Sequence, residues 1–176
     1  MGVSGSGKST VAKRLAMRLG CEFLEGDALH PARNVRKMRA GVALSDADRR
    51  PWLKRIARRI TAAQRAQRGL VVACSALKRR YRDQLRAAAP ALLFVHHVAR
   101  RATLARRLAR RRGHFMPAAL LASQLAALEP LEPDERGLRC ASAATPAAIT
   151  ARIERALLRN SAAACAGRPP PRSAFR

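Results

Sequence analysis

The chain opens with MGVSGSGKST, in which glycine, lysine and serine have the spacing of a phosphate-binding loop. Gly2, Gly7, Lys8 and Ser9 meet the pattern G-x-x-x-x-G-K-[ST]. Glycines permit backbone conformations that direct N–H groups at phosphate oxygens, and a following helix adds the positive end of its dipole. Lysine can reach the β- and γ-phosphates, and the serine hydroxyl can ligate Mg²⁺. The sequence therefore predicts a nucleotide-phosphate site, called the phosphate loop below (residues 2–9).

Two carboxylates, Glu25 and Asp27, stand at the far end of the strand-like run CEFLEGD. Ligands of an open parallel sheet bind at the carboxyl ends of its strands. A carboxylate there can orient a hydroxyl for attack on a γ-phosphate, or hold Mg²⁺ through water. A helix cap or a solvated turn is the alternative, but the nearby phosphate loop favours the functional interpretation.

The stretch CSALKRRYRD places Ser75, Lys78, Tyr81 and Arg82 just beyond a second strand-like run. Lys78 and Arg82 are four residues apart and hence on one helical face, which suits an anionic substrate. Ordinary surface charge is the alternative for this pair, and a helix cap is the alternative for Ser75.

Seven arginines lie between residues 100 and 112. They form either a solvated helix or a mobile lid whose charges fold over a triphosphate, with Gly113 as a hinge beside His114. His96 and His97 lie in a strand-like run, and we expect both to be structural.

The elements that must position these residues alternate between helix and strand, which predicts an α/β fold with a parallel sheet. Helical patterns occur in seven segments. They are residues 9–19, 30–41, 77–86 and 100–112, the segment after Pro117, and the segments that contain Trp52 and Ile149. GLVVACS and ALLFVHHV are buried strands, and GLRCASA is a weak last strand. We expect one domain over residues 1–160 and a disordered tail over 161–176.

Composition narrows the class of protein. The net charge of +25 is typical of nucleic-acid binding, yet arginine on solvated surfaces explains most of it. The four cysteines form no C-x-x-C pair, and no apolar run has the length of about 18 residues that a membrane helix needs. A reduced, cytoplasmic location with no membrane association is expected.

Longer motifs give the chain a family resemblance over about residues 2–157. It resembles the small bacterial-type gluconokinases of the P-loop kinase superfamily. The resemblance implies a three-layer P-loop kinase fold with a central parallel sheet and an Arg-rich lid at about residues 100–130. The segments that carry it are GVSGSGKST (2–10), EGDALHPARNVRKMRAG (25–41), DADRRPWL (46–53), VVACSALKRRYRD (71–83) and GHFMPAALLASQLAALEPLEPDE (113–135).

The resemblance also implies a reaction and a set of roles. ATP would phosphorylate the terminal hydroxyl of D-gluconate to give 6-phospho-D-gluconate, with Mg²⁺ as a cofactor and a homodimer as a possible assembly. The catalytic residues would be Lys8, Asp27 and Arg111, and the metal ligands Ser9 and Glu25. The cofactor would be bound by Gly2, Ser4, Gly5, Ser6, Gly7, Lys8, Ser9, Thr10 and Arg107. The substrate would be bound by Asp27, His30, Ser75, Lys78, Tyr81, Arg82 and His114.

The sequence departs from the family at four points, the first being Ala99 or Arg100 where a glycine is expected just after the fourth strand, at the entry to the lid. Glu25 stands where the family often has Asp, and RCASAAT matches the last strand poorly, which leaves the adenine contacts unassigned. The superfamily's central strand precedes the phosphate loop, whereas only Met1 does so here. Losing its four or five apolar side chains would cost on the order of 10 kcal/mol, comparable with the stability of a domain. We therefore expect Met1 to be an internal methionine of a longer protein.

Three other functional interpretations stay open. The first is another small-metabolite P-loop kinase, such as a shikimate-type enzyme, although ACSALK and HFMP favour gluconate. The second is a basic nucleic-acid-binding protein with a vestigial kinase fold, although nucleic acid is an unlikely partner for a small-metabolite kinase. The third is a truncated and unfolded fragment without activity.

Overall fold

The computed structural model describes residues 1–110 and 120–166, with side chains described to residue 159 in the last helix. Helices and strands alternate along these ranges, as the sequence patterns predict. The helices are α1 Lys8–Leu19, α2 Ala32–Arg39, α3 Asp46–Arg65, α4 Arg79–Ala88, α5 Arg101–Ala109, α6 Leu120–Ala126 and α7 Pro146–Ala166. The strands are β1 Glu22–Glu25, β2 Leu70–Ala73, β3 Phe94–Val98 and β4 Gly137–Ala141, and a short 3₁₀ helix, Gly26–Leu29, follows β1.

The strands form two parallel pairs. In the first pair, β1 lies beside β2 with Glu25 opposite Ala73, and in the second, β3 lies beside β4 with Val98 opposite Ala141. Because each pair is parallel, the carboxyl ends of its strands meet at one edge. The predicted α/β fold with parallel strands is confirmed.

Met1 and Gly2 lie between the two pairs at this carboxyl edge. The Met1 amino group donates to Val95 O, the His97 amide donates to Met1 O (2.9 Å), and the Gly2 amide donates to Ser75 O (3.1 Å). Among the described residues, these two alone occupy the position where the resemblance places a central strand. The backbone of Met1 and Gly2 thus connects β3 to the loop that follows β2.

A largely apolar cavity of about 490 Å³ lies behind Met1, between the strand pairs. Its lining comes from both pairs and from the helices that cover them, including Val11, Leu15, Leu70, Val72, Phe94 and Ile153. Apolar side chains that face a cavity lose the dispersion contacts that close packing provides. The centre of the sheet is therefore its least well-packed part.

Helices cover both faces of the strands and produce three layers. Adjacent strand residues alternate between faces, so that Val72 packs with Trp52 and Ile56 of α3, whereas Val71 packs with the α1 and α7 side chains. The α1 and α7 side chains in question are Val11, Leu15, Ile149 and Ile153. Each large apolar side chain buried in these layers contributes about 1.5–3 kcal/mol.

Helix α3 illustrates how local sequence sets an element. Ser45 is its N-cap: the Ser45 side chain accepts a hydrogen bond from the Asp48 amide, and the Asp48 carboxylate accepts one from the Ser45 amide. This capping box satisfies two amide donors that the first helical turn leaves unpaired. The four-residue spacing of Trp52, Ile56 and Ile60 then buries one face.

The structure describes the predicted lid and the predicted tail only in part. The lid's first helix ends at Ala109, and Arg111, Gly113, His114 and Pro117 lie outside the described residues. Helix α7 runs to Ala166, six residues beyond the predicted end of the domain, and residues 167–176 also lie outside. None of the helices in the described ranges combines the length and apolar character needed to cross a bilayer.

Candidate active site

The phosphate loop joins Met1 to α1, and its glycines adopt conformations that other residues avoid. Gly5 and Gly7 have φ of 80° and 91°, in the left-handed region. A Cβ on Gly5 would also lie 3.2 Å from Leu108 Cγ and 3.3 Å from Leu104 O of α5. Gly7 is the N-cap of α1 and brings no side chain to the helix amino terminus. The positive end of the helix is thereby presented to an anion.

The polar residues of the loop divide into two groups. Lys8 and Ser9 are half-buried and Thr10 is exposed, so that all three can meet a ligand at the start of α1. The Lys8 Nζ donates to Val3 O at 2.9 Å, which holds the lysine across the loop. Ser4 and Ser6 are buried. The Ser4 hydroxyl is bonded by Gln124, whereas Ser6 holds the loop through its backbone oxygen, which accepts from Ser142 Oγ.

Gln124 of α6 fixes the loop through Ser4. Its Oε1 accepts from the Ser4 amide at 2.7 Å, and its Nε2 donates to Ser4 Oγ at 3.3 Å. Because Gln124 lies on the helix after the lid, these bonds connect the lid segment to the phosphate loop. The resemblance included this glutamine in a matching segment, but no spacing rule linked it to the loop.

Arg107 of α5, which the resemblance places among the cofactor-binding residues, contacts the loop from the other side. Its Nη1 donates to Gly5 O (3.3 Å) and to Ser142 Oγ (2.8 Å), and its Nη2 donates to Ser142 O (3.1 Å). Ser142 Oγ donates in turn to Ser6 O at 2.8 Å. Sequence reasoning missed Ser142, which follows β4 in the poorly matching segment.

A polar cleft opens beside the loop at the carboxyl edge of β1 and β2. A Cβ on Gly26 would lie 2.7 Å from Ala73 O, so only glycine allows the two strand ends to approach so closely. This approach brings Asp27, on the 3₁₀ helix, to the cleft. Side chains that line it include Lys8, Asp27, His30, Arg49, Trp52 and Ser75. The structure thus brings five of the predicted residues together: Ser4, Lys8, Asp27, His30 and Ser75.

His30 is held rigidly and uncharged in this cleft. Its ring stacks on Trp52 with 4.3 Å between centroids, and its Nδ1 lies 3.4 Å from Asn34 Nδ2. Trp52 is fixed in turn by donating from Nε1 to Gly26 O at 2.7 Å. Burial lowers the pKa of His30 to about 4, an effect that Asp27 opposes and Arg49 adds to. At neutral pH, His30 is therefore a neutral hydrogen-bonding group.

Lys78 and Tyr81 do not line the cleft, because Asp46 binds both of them. Lys78 Nζ lies 3.2 and 3.3 Å from the two Asp46 oxygens, and the Tyr81 hydroxyl donates to the same carboxylate. The hydrogen bond from Tyr81, followed by those from Lys78 and Arg80, lowers the pKa of Asp46 to about 2. This cluster connects the start of α3 to α4.

Arg82 is fully buried and lies away from the cleft. Its Nε and Nη2 each donate to Glu135 at 2.6 Å, and further donors reach Glu129 O and Pro130 O, both at 3.0 Å. Its side chain is 0% exposed, as is that of Glu135. Arg82 therefore anchors the segment before β4 under the loop that follows β2.

Among the described residues, the expected Mg²⁺ ligands do not form a cluster of carboxylates. Glu25 ends β1, half-buried, and the cleft lining includes Asp27 in its place. Within the described ranges, no three His, Cys, Asp or Glu side chains are grouped closely enough to hold a metal ion. Mg²⁺ in kinases commonly takes one or two protein ligands and completes its shell with phosphate and water. Ser9 and Asp27 fit that donor set.

Comparison with known proteins was made for sequence and for structure. A family model described as an AAA domain matches residues 1–131. The gluconokinase of Gluconobacter oxydans is 55% identical over 139 residues, which cover 79% of this chain and 78% of that protein.

Two solved structures have the same fold at high identity. The crystal structure of a sugar kinase from Janibacter sp., in unliganded form, has a TM-score of 0.85 and 44% identity, and the match covers 89% of this chain and 91% of that one. The crystal structure of a gluconokinase from Sinorhizobium meliloti has a TM-score of 0.78 and 45% identity, with 90% and 89% covered.

Proposed function

The chain belongs to the gluconokinase family and phosphorylates gluconate with ATP, and we propose that the transfer takes place in the cleft between the phosphate loop and Asp27. The acceptor is the terminal hydroxyl of D-gluconate, and the products are 6-phospho-D-gluconate and ADP. The observation that carries this assignment is that one cleft contains Lys8 from the loop and Asp27 from the end of the neighbouring strand. A phosphate-binding cation and a carboxylate for the acceptor hydroxyl are the two groups the reaction needs.

The nucleotide half of the site is the phosphate loop with α1 behind it. The amides of Gly2 and Ser4 are bonded within the protein, so the phosphates are bound by N–H groups from Gly5 to the first turn of α1, and Lys8 neutralises charge on the β- and γ-phosphates. Thr10 and Arg107 complete this half. Mg²⁺, when bound with ATP, would neutralise further phosphate charge, held by the Ser9 hydroxyl and by Asp27 or Glu25 through water.

The acceptor half consists of Asp27, His30 and Ser75. Asp27 accepts the proton of the terminal hydroxyl as that oxygen attacks the γ-phosphorus, while His30 and Ser75 hydrogen-bond the hydroxyls of the chain. The stack of His30 on Trp52 supports this role because it fixes the ring orientation.

Lys78, Tyr81 and Arg82 support the site by positioning it. The bonds of Lys78 and Tyr81 to Asp46, and of Arg82 to Glu135, hold the segment between β2 and α4 that carries Ser75. Arg111 and His114 lie outside the described residues, and we propose that they act from the lid, Arg111 at the γ-phosphate and His114 at the acceptor.

Asp27→Asn tests the proposed chemistry. The amide keeps the shape of the side chain but accepts no proton, so we expect kcat to fall about 10²- to 10⁴-fold while the melting temperature is maintained. ADP release would be measured with ATP, Mg²⁺ and a panel of D-gluconate, shikimate, glycerate and nucleoside monophosphates.

Asp83→Asn is the matched control, since Asp83 is an exposed carboxylate on α4 paired with Arg86. It should leave turnover unchanged. Full activity of Asp27→Asn would remove Asp27 from the mechanism, and preference for another acceptor would overturn the choice of gluconate.

A cytoplasmic location is proposed on the same basis. The described cysteines Cys21, Cys74 and Cys140 are all free thiols, which suits a reducing compartment that supplies ATP. We also propose that the protein forms a homodimer and does not bind nucleic acid. Light scattering of the purified protein measures its molar mass and so tests the homodimer.

A further inference from the structure

A sugar acid differs from a neutral polyol by one carboxylate, so a selective kinase needs a cation where that group binds. The sequence offered Lys78 and Arg82 for this task. The structure engages both with carboxylates of the protein, Lys78 with Asp46 and Arg82 with Glu135. Lys8 lines the cleft but belongs to the phosphate loop. Among the residues that the structure describes, another cation is therefore needed for the substrate carboxylate.

Arg49 is in the right place for it. It lies in the first turns of α3, half-buried, and lines the cleft together with Asp27 and His30. Leu44 O accepts a hydrogen bond from its Nη1, and its guanidinium carbon lies 5.9 Å from the centre of the Tyr81 ring. These contacts fix the direction of the side chain.

In the described part of the chain, no carboxylate forms an ion pair with this guanidinium. Over residues 1–110 and 120–166, the ion pairs include none with Arg49. By contrast, its helix neighbour Asp48 is paired with Lys37, and Asp46 binds both Lys78 and Arg80. A half-buried arginine without an acid partner at the wall of a cleft is suited to binding an anion from solution.

The charge of Arg49 also acts inside the cleft. Burial is the main cause of the low pKa of His30; Asp27 opposes it, and the charge of Arg49 lowers the pKa further. A cation that destabilises a second positive charge on His30 stabilises a negative charge brought to the same wall.

We propose that Arg49 binds the carboxylate of the acceptor and makes the enzyme selective for sugar acids over neutral polyols. This inference rests on the proposed function, because it assumes that the acceptor binds in the cleft with its terminal hydroxyl at Asp27. The guanidinium presents paired N–H donors whose spacing matches the two carboxylate oxygens, which a single lysine ammonium does not. Arg49 is thus a specificity residue, and Asp27 at the other end of the acceptor is the catalytic one.

The test compares D-gluconate with D-gluconamide, which keeps every hydroxyl but has no charge. For Arg49→Gln, we expect kcat/KM for gluconate to fall about 10- to 100-fold, the loss typical of a charge-assisted hydrogen bond. The effect should lie mainly in KM for gluconate, and the values for gluconamide and the KM for ATP should stay unchanged. Arg49→Lys should recover part of the preference for gluconate.

Arg50→Gln is the control, because Arg50 is the next residue of α3 and is exposed. It should keep the wild-type ratio of the two substrates. If Arg49→Gln keeps that ratio too, or lowers turnover of both substrates equally together with the melting temperature, the residue is structural and the proposal is overturned.

Direct binding separates this proposal from the proposed function. Calorimetric titration of gluconate into the full chain with a non-hydrolysable ATP analogue needs no turnover. A wild-type protein that releases no ADP with gluconate contradicts the proposed function. The affinity difference between wild type and Arg49→Gln still decides the role of Arg49: a weaker Kd by the same factor supports it, and equal binding or none in both overturns it.

Discussion

The segment from Met1 to Lys8 borders two cavities that are held together in opposite ways. On one side lies the polar cleft, whose walls are tied by bonds between distant parts of the chain, such as Gln124 to Ser4 and Trp52 to Gly26. On the other side lies the apolar cavity between the strand pairs, crossed at its end only by the Met1 and Gly2 backbone within the described residues. Directional bonds fix the groups at the site, whereas the sheet beneath relies on packing that the cavity interrupts. We therefore expect substitutions to separate activity from stability according to the side they alter.

The largest change in the free energy of unfolding is expected from removing a buried ion pair that supports the cleft. Glu135→Gln leaves the Arg82 guanidinium buried without its countercharge, which should destabilise the fold by about 3–5 kcal/mol. Denaturant unfolding monitored by circular dichroism measures this.

The control is Asp134→Asn, whose exposed carboxylate pairs with Arg79 and should contribute little to stability because water screens the pair. Equal effects of the two variants would show that burial of the pair does not matter, and would contradict the view that bonds hold the cleft.

A smaller change in the free energy of unfolding, this time an increase, is expected from filling the apolar cavity. An engineered segment of about five valines and leucines placed ahead of Met1 could extend between β2 and β3 and bury its side chains in the cavity. At about 1.5–3 kcal/mol for each side chain fully buried, partial filling should raise the free energy of unfolding by roughly 2–4 kcal/mol. Thermal and denaturant unfolding of the two forms supply the comparison.

A segment of glycines and serines with the same length is the matched control. It can form the same backbone hydrogen bonds but brings no apolar side chains, so its gain should be much smaller. Equal stabilisation by both segments would mean that strand pairing, and not cavity filling, limits the stability of the sheet.

The third effect is on the pH dependence of stability and concerns the histidines of β3. Burial, followed by the charge of the Met1 amino group, lowers the pKa of His96 to about 4 and that of His97 to about 3, from 6.5 for the unfolded chain. Below pH 6.5 the unfolded chain binds protons that the folded protein refuses, so stability falls as the pH decreases from about 6.5 towards 4. The Met1 amine, with a pKa lowered from 8.0 to about 5, acts in the same direction.

Unfolding curves at pH 7.0 and 5.0 measure this dependence, and His96→Phe should make it shallower. The carboxylates of Asp46 and Glu135 cannot mimic the effect between pH 7 and 5, because stability from their lowered pKa values is lost only below the ordinary values of 3.8 and 4.5. A profile that is flat between pH 7 and 5 in the wild type would show that the histidines titrate freely in the folded protein.

Much of the molecule could be predicted from the sequence because its causes are local. The phosphate loop follows from glycines beside Lys8 and Ser9, the start of α3 from Ser45 and Asp48, and the buried strands from short apolar runs. Asp27 was predicted to face the nucleotide because parallel strands end at one edge, and the cleft includes it. These features depend on neighbours in the chain or on a general rule of sheet topology.

What only the tertiary structure decided is which polar groups meet. Lys78, Arg82 and Arg49 are all cations near the site in sequence, yet Asp46 binds the first, Glu135 binds the second, and the third lines the cleft. Arg82 and Glu135 are 53 residues apart, and Gln124 and Ser4 are 120 apart. No periodicity in the sequence encodes such pairs, because long-range electrostatic partners are chosen by the packing of whole helices and strands. The sequence by itself determined the chemistry available, and the fold determined which side chains remain to carry it out.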